Sequence, residues 1–221
     1  VDGYYSLNFN HPASRNNSIR NFDVKANQFS LSFAKLSMEH DADPVGFKFE
    51  LAAGRAMDIF HATDPAGPEV VKHILQAYVS LKPASWRGVQ FDFGKFVTSA
   101  GAEVTEAHLN WNYSRSLLYA NRPYYHFGLR SAVPVNEHFT VGAQLVNGWN
   151  NVEDNNSAKT VGLTAAVTTS KINWFNTYYV GNEKTDIEDG VKIHTPGVRH
   201  FYDTAVNINP NGRVSGLFNF D

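Results

Sequence analysis

The chain has 221 residues, 43% hydrophobic and 14% aromatic, which is enough length and apolar content for one folded domain and argues against disorder. Nineteen Lys and Arg nearly balance twenty-one Asp and Glu, for a net charge of −2, so there is no basic footprint for nucleic acid. The absence of Cys excludes disulfide scaffolds, thiolate metal sites and cysteine nucleophiles, and no apolar run approaches the roughly 18 residues of a membrane helix. A membrane barrel stays open, because its strands hide their hydrophobicity by alternation.

Val1-Asp2-Gly3-Tyr4 has neither a charged n-region nor an apolar h-region. The chain therefore reads as cytoplasmic, or as the mature or trimmed form of an exported protein, and the lack of Cys leans toward export. Period-two alternation then dominates. Phe22, Val24 and Ala26 hold one phase and Phe29, Leu31 and Phe33 the other, which predicts a bulge near Asn27-Gln28. Val45, Phe47, Phe49 and Leu51 alternate with Gly46, Lys48 and Glu50. The same pattern runs through 75–82, 89–94, 125–130, 139–145, 161–168 and 202–208. Over 172–182 two registers fit, one placing Ile172, Trp174, Tyr178 and Val180 outward, the other Phe175, Thr177 and Tyr179.

These segments predict strands at 1–10, 18–39, 44–54, 69–82, 88–96, 123–133, 138–148, 160–169, 172–182, 198–209 and 213–221. Every second connection is short: HDADP, KPASWRG, PVNEH, TSK and NPNGR. The others, among them 55–68, 97–122, 148–159 and 183–197, are long and rich in Asn, Asp, Gly and Pro. Long and short connections in strict alternation are the mark of an up-and-down transmembrane barrel, with tight turns at one face and large loops at the other. A Greek-key sandwich has no reason to sort its loops this way. Eleven is an odd count where single-chain barrels have an even one, which predicts a single domain over 1–221, truncated at its C-terminus. The complete wall would have about 12–18 strands, wide enough for an aqueous bore.

The segments Tyr4-Tyr5-Ser6 to Phe9-Asn10-His11-Pro12, Asn27-Gln28-Phe29-Ser30-Leu31 and Pro44-Val45-Gly46-Phe47 carry a resemblance, as do Gly94-Lys95-Phe96 to Gly101-Ala102-Glu103, Asn112-Tyr113-Ser114-Arg115-Ser116-Leu117-Leu118 and Val146-Asn147-Gly148-Trp149-Asn150. Together they make the chain similar to bacterial outer-membrane β-barrel porins of the OmpL-like, porin-2 type. The resemblance implies a passive diffusion channel and a chain longer than this one. It carries no catalytic residue and no assigned substrate.

On the channel reading, the polar strand positions Lys48, Glu50, Gln76, Gln90, Asp92, Arg130, Gln144, Asp203 and Asn207 line a pore; in a soluble sheet they are simply the wet face. The long segment 97–122 is the candidate constriction loop, carrying Glu103, Glu106, His108, Asn112, Arg115 and Arg122. Its acids would face wall cations such as Lys48 and Arg130 across a transverse field. Leu117 and Leu118 argue for an inserted loop over a solvated one, and Ser114 to Tyr119 for a short helix. Because these charges nearly cancel, weak ion selectivity is expected. Tyr4, Tyr5, Trp86, Tyr124, Tyr125, Trp149, Trp174 and Tyr202 sit near predicted turns, as an interfacial girdle would.

None of the nine His has metal-ligand spacing, and neither a GxSxG elbow nor a Gly-rich phosphate loop occurs. No cofactor and no catalytic residue is expected. The expected partners are outer-membrane lipid and small polar solutes or ions, with room for a homo-oligomer. The alternatives are a soluble all-β ligand-binding protein and, third, an outer-membrane barrel enzyme.

Overall fold

The computed structural model describes residues 1–64, 69–184, 187–188, 191–192, 197–210 and 212–221. Eleven strands form one antiparallel sheet, each paired with its neighbour in sequence. They are β1 (Asp2–Tyr5), β2 (Phe29–His40), β3 (Val45–Ala53), β4 (Ile74–Leu81), β5 (Gln90–Val97), β6 (Tyr125–Pro134), β7 (Phe139–Val146), β8 (Thr160–Thr168), β9 (Ile172–Gly181), β12 (Arg199–Ile208) and β13 (Gly216–Phe220), with the two-residue strands β10 (Ile187–Glu188) and β11 (Val191–Lys192) forming a separate hairpin between β9 and β12. β1 and β13 do not pair, so the sheet is not closed. All the long connections leave from one end and all the short turns from the other, as the loop lengths predict.

Side-chain alternation divides the sheet cleanly. Val45, Phe47, Val79, Phe91, Phe93, Leu129, Leu145, Val161 and Leu163 stand exposed on one face, and Phe49, Phe127 and Val141 share it half-buried. The opposite face carries Glu50, Gln76, Ser80, Asp92, Gln144, Thr177 and Asp203, all buried. In β9 the first register holds: Ile172 and Trp174 point outward, and Thr177 and Tyr179 are buried on the polar side.

The polar face is concave, because segment 98–124 ties its two edges together. Ala102 N donates to Asn219 Oδ1 on β13 (2.9 Å), and four residues later Glu106 pairs with Lys35 on β2. Four residues span at most about 14 Å. Nine strand spacings of a flat sheet would separate β2 from β13 by about 43 Å, and the side chains at the two ends do not make up the difference. Gly94 and Gly128 help the curl. They pair directly at φ 137° and 156°, and a Cβ on either would lie 2.2 Å from a carbonyl oxygen of the next strand.

Four expected strand ranges are corrected. β1 stops at Tyr5 and β2 begins only at Phe29, so the phase break near Asn27 marks a strand start rather than a bulge. Asn27 sits at φ 55°, a left-handed turn that strand pairing does not tolerate. Residues 18–28 instead fold back and bury Phe22 against Tyr119. Glu69–Lys72 forms a helical turn ahead of β4, and β13 begins at Gly216.

An apolar cluster at the long-loop end joins Phe22, Phe33, Ala52, Met57, Phe60, Leu75, Tyr119 and Tyr125. It seats the short helix Arg55–Phe60 (α1) and the helix Leu117–Asn121 (α3, after α2 at Glu69–Lys72). Tyr125 is completely buried here and stacks on Phe60 (5.3 Å), so it does not belong to an outer girdle. Tyr4 packs on Tyr113, Tyr124 on Phe60, and Trp149 on Phe201 beneath Arg199. Tyr5, Trp86, Trp174 and Tyr202 are the expected girdle residues that are exposed.

Candidate functional site: the polar concave face and its loop

The concave wall arranges its charges in two groups. On β2, β3 and β4 the Glu50 carboxylate takes hydrogen bonds from Lys35 Nζ (2.9 Å), Gln76 Nε2 (2.7 Å) and Ser37 Oγ (3.1 Å), with Lys48 Nζ 3.7 Å away. Lys48 pairs more closely with Glu39 (2.7 Å). On β4, β5 and β6, Asp92 accepts from Arg130 Nε (2.7 Å), Ser80 Oγ (2.6 Å) and Gln90 Nε2 (2.8 Å). The Arg130 guanidinium lies between the rings of Tyr78 (4.8 Å) and Phe96 (4.5 Å), which hold its fork against the wall. Register explains both groups: Glu50 faces Gln76, and Asp92 faces both Ser80 and Arg130.

Around the arc the wall becomes mainly neutral and polar, with Asp203 as an acid on β12. Gln144 Nε2 donates to Ser99 Oγ (2.8 Å), and Tyr179 Oη donates to Gln144 Oε1 (3.1 Å). Asp203 is fully buried and accepts from Gly101 N (2.8 Å) and Asn219 Nδ2 (2.7 Å). Asn207, one residue before the end of β12, is exposed on the same side.

Residues 98–124 lie against this wall. Tyr113 Oη reaches Asp2 on β1 (3.0 Å), and Ser114 Oγ donates to Asn21 O (3.2 Å). The acid expected to face Lys48 or Arg130 meets a different cation. Glu106 pairs with Lys35, which the sequence pattern does not single out: a register shift opposite Leu31 and Phe33 moves the outward set of β2 from Leu31 to Leu36 and Met38 and turns Lys35 inward. Glu103 does not face the wall cations either, since it accepts from Ser116 N (3.0 Å) and its hydroxyl at the start of α3. His108, Asn112, Leu117 and Leu118 are exposed.

The loop arginines are a second correction. Arg115 is buried, with Nε donating to Val104 O (3.1 Å), its terminal nitrogens to the carbonyls of Tyr113 and Thr105, and the Phe22 ring stacked beneath it (4.5 Å). Arg122 is buried over the Tyr119 ring (4.5 Å) and donates to Glu103 O (2.5 Å). Both cations therefore hold the loop's own backbone in shape instead of presenting charge to solvent. Tyr119, not Leu117 or Leu118, is the apolar anchor of the loop, and burial pushes its hydroxyl up to about 12. Gly101 permits this seat: its φ is +83°, and a Cβ there would fall 2.5 Å from the Arg122 guanidinium. Among the described residues, no group of three or more His, Asp or Glu gathers to hold a metal ion.

The sequence pattern of the family described as putative beta-barrel porin-2, OmpL-like matches residues 1–221. The chain belongs to this family. The OmpL-like porin-2 family accounts for the all-β meander and supports a porin-type role in general terms. No curated protein and no solved structure matches the chain.

Proposed function

We propose that the chain forms the wall of an outer-membrane channel through which small hydrophilic solutes and ions diffuse passively. One observation carries this reading: a continuous exposed apolar face lies behind a charged concave face. Exposed Phe47, Phe91, Phe93 and Leu163 back Lys48, Asp92 and Gln144, an arrangement that suits lipid outside and water inside. In a soluble sheet the apolar face would be the covered one.

Lipid does not tolerate open strand edges. In this reading further strands complete the wall between β1 and β13, giving a barrel of about 12–18 strands. Residues 98–124 narrow the bore as a constriction loop, with Lys35, Lys48, Glu50, Asp92 and Arg130 lining it. No catalytic step is assigned. The experiment is detergent extraction followed by reconstitution into a planar bilayer. Discrete ohmic conductance steps are expected, whereas protein that is soluble without detergent and gives no steps overturns the reading.

A further inference from the structure

A cleft of about 310 Å³ lies between the loop and the β12–β13 hairpin, near the short-turn end of the wall. Trp111, Leu109, Leu118 and Leu217 give it an apolar side, and Asn112 and Asn207 a polar one. Trp111 is two-thirds exposed, makes no ring contact with another aromatic residue among those described, and sits on a loop that is otherwise fixed in place. Asn110 fixes the turn beneath it, accepting from Val104 N (2.9 Å) and donating to the carbonyls of Val104 (2.8 Å) and Glu106 (2.9 Å). Neither the Asn112 nor the Asn207 side chain has a hydrogen-bond partner among the described residues.

We propose that this cleft is a subsite for a neutral saccharide, a proposal that rests on the channel reading and names a substrate class for it. An indole face offers a flat apolar platform for the C–H face of a sugar ring. Carboxamides both donate and accept, matching hydroxyls that do the same. No Lys or Arg lines the cleft, because Arg115 and Arg122 are turned into the loop's own carbonyls, and the ionisable group present is Glu103. A phosphorylated or carboxylated solute would desolvate its charge against that acid without a cationic partner. A wholly apolar solute would leave both amides unpaired. The volume is at the low end of the roughly 300–1,000 Å³ typical of small-molecule pockets, which suits a short saccharide segment.

The test uses the reconstituted protein with three neutral trisaccharides, maltotriose, cellotriose and raffinose. At least one should block current reversibly and shift tryptophan fluorescence in detergent micelles over the same concentration range. Trp111→Ala should weaken the current block at least tenfold. Trp111→Phe, which removes the reporting indole, should retain most of the block, and Trp86→Phe, at the outer girdle, should retain both block and fluorescence shift. Conducting channels that none of the sugars blocks, or a response indifferent to Trp111→Ala, overturn the subsite and leave the channel reading standing. A Trp111-dependent fluorescence shift in a protein that never conducts supports the subsite and overturns the channel.

Discussion

Glu106 and Lys35 stand 71 positions apart in sequence and form an ion pair across the concave face. Lys35 simultaneously holds Glu50 on the wall, so a single ammonium fastens the loop to the sheet. Both partners are about one-fifth exposed, which limits the pair to about 1 kcal/mol. Glu106→Gln should loosen the loop without unfolding the protein. The expected result is higher mean conductance with more open-state current noise in single-channel records. Conductance and noise equal to the parent's would mean that the pair does not hold the loop in the current path.

Charge on the concave face is unbalanced once Arg115 and Arg122 are withdrawn. Lys35, Lys48 and Arg130 face Glu39, Glu50, Asp92 and Glu106, while Asp203 is fully buried near Arg122 and is withdrawn with it. This revises the expectation of near-cancellation and predicts a cation preference, since low-dielectric walls focus the residual field. Reversal potential under a salt gradient should move toward anions in Glu39→Gln, an acid exposed beside Lys48, and further toward cations in Arg130→Gln. In Arg115→Gln the potential should hold in whatever fraction folds.

Gly101→Ala combines a left-handed backbone with a collision against Arg122. Such strain costs of order 1–3 kcal/mol. Thermal unfolding in detergent should show a lowered Tm, and Gly212→Ala, where nothing lies within 4 Å, should lower it less.

Phe49→Arg on the apolar face should cost roughly 2–4 kcal/mol near mid-membrane. Gln90→Arg, on the concave side, should cost far less. Urea refolding into lipid vesicles would measure both, and equal penalties would contradict an outward lipid face.

His61, in the segment between β3 and β4, is buried against Phe60 and Tyr125, and Lys95 Nζ lies 2.7 Å from its Nε2. Burial, reinforced by the Lys95 charge, lowers its pKa to about 3 from an ordinary 6.5. The folded pKa is depressed for a base, so the unfolded chain takes up the proton first as pH falls. Stability is therefore unaffected above about 6.5 and declines between 6.5 and 3, by up to about 1.4 kcal/mol per pH unit. His61→Gln should flatten that decline in denaturant midpoints measured from pH 7 to 4.

The sheet was legible because period two and loop length report on the same geometry. Val45 to Leu51 and Phe139 to Leu145 read correctly because each strand has one wet and one apolar face. Segment 18–28 did not, since Phe22 and Val24 alternate as a strand would while Asn27 in a left-handed turn ends the pairing. The Glu106–Lys35 pair was illegible because β2 changes phase between Leu31 and Leu36, and alternation alone does not show on which side of that shift Lys35 falls. Arg115 and Arg122 carry no local sign of burial; only the loop's carbonyls, brought together by folding, tell a structural guanidinium from a lining one.

The loop occupies the middle of the chain yet bonds to both of its ends, through contacts spanning 111 residues from Tyr113 to Asp2 and 117 from Ala102 to Asn219. Contacts of such separation come late, since loop-closure entropy must be overcome before they stabilise anything. Adjacent-strand hairpins have no such delay. The wall should therefore assemble first as a wide intermediate, with the constriction setting last. Refolding followed by conductance should then pass through a transient stage leakier than the native channel, and protease should cleave 98–124 during that stage and spare it afterwards.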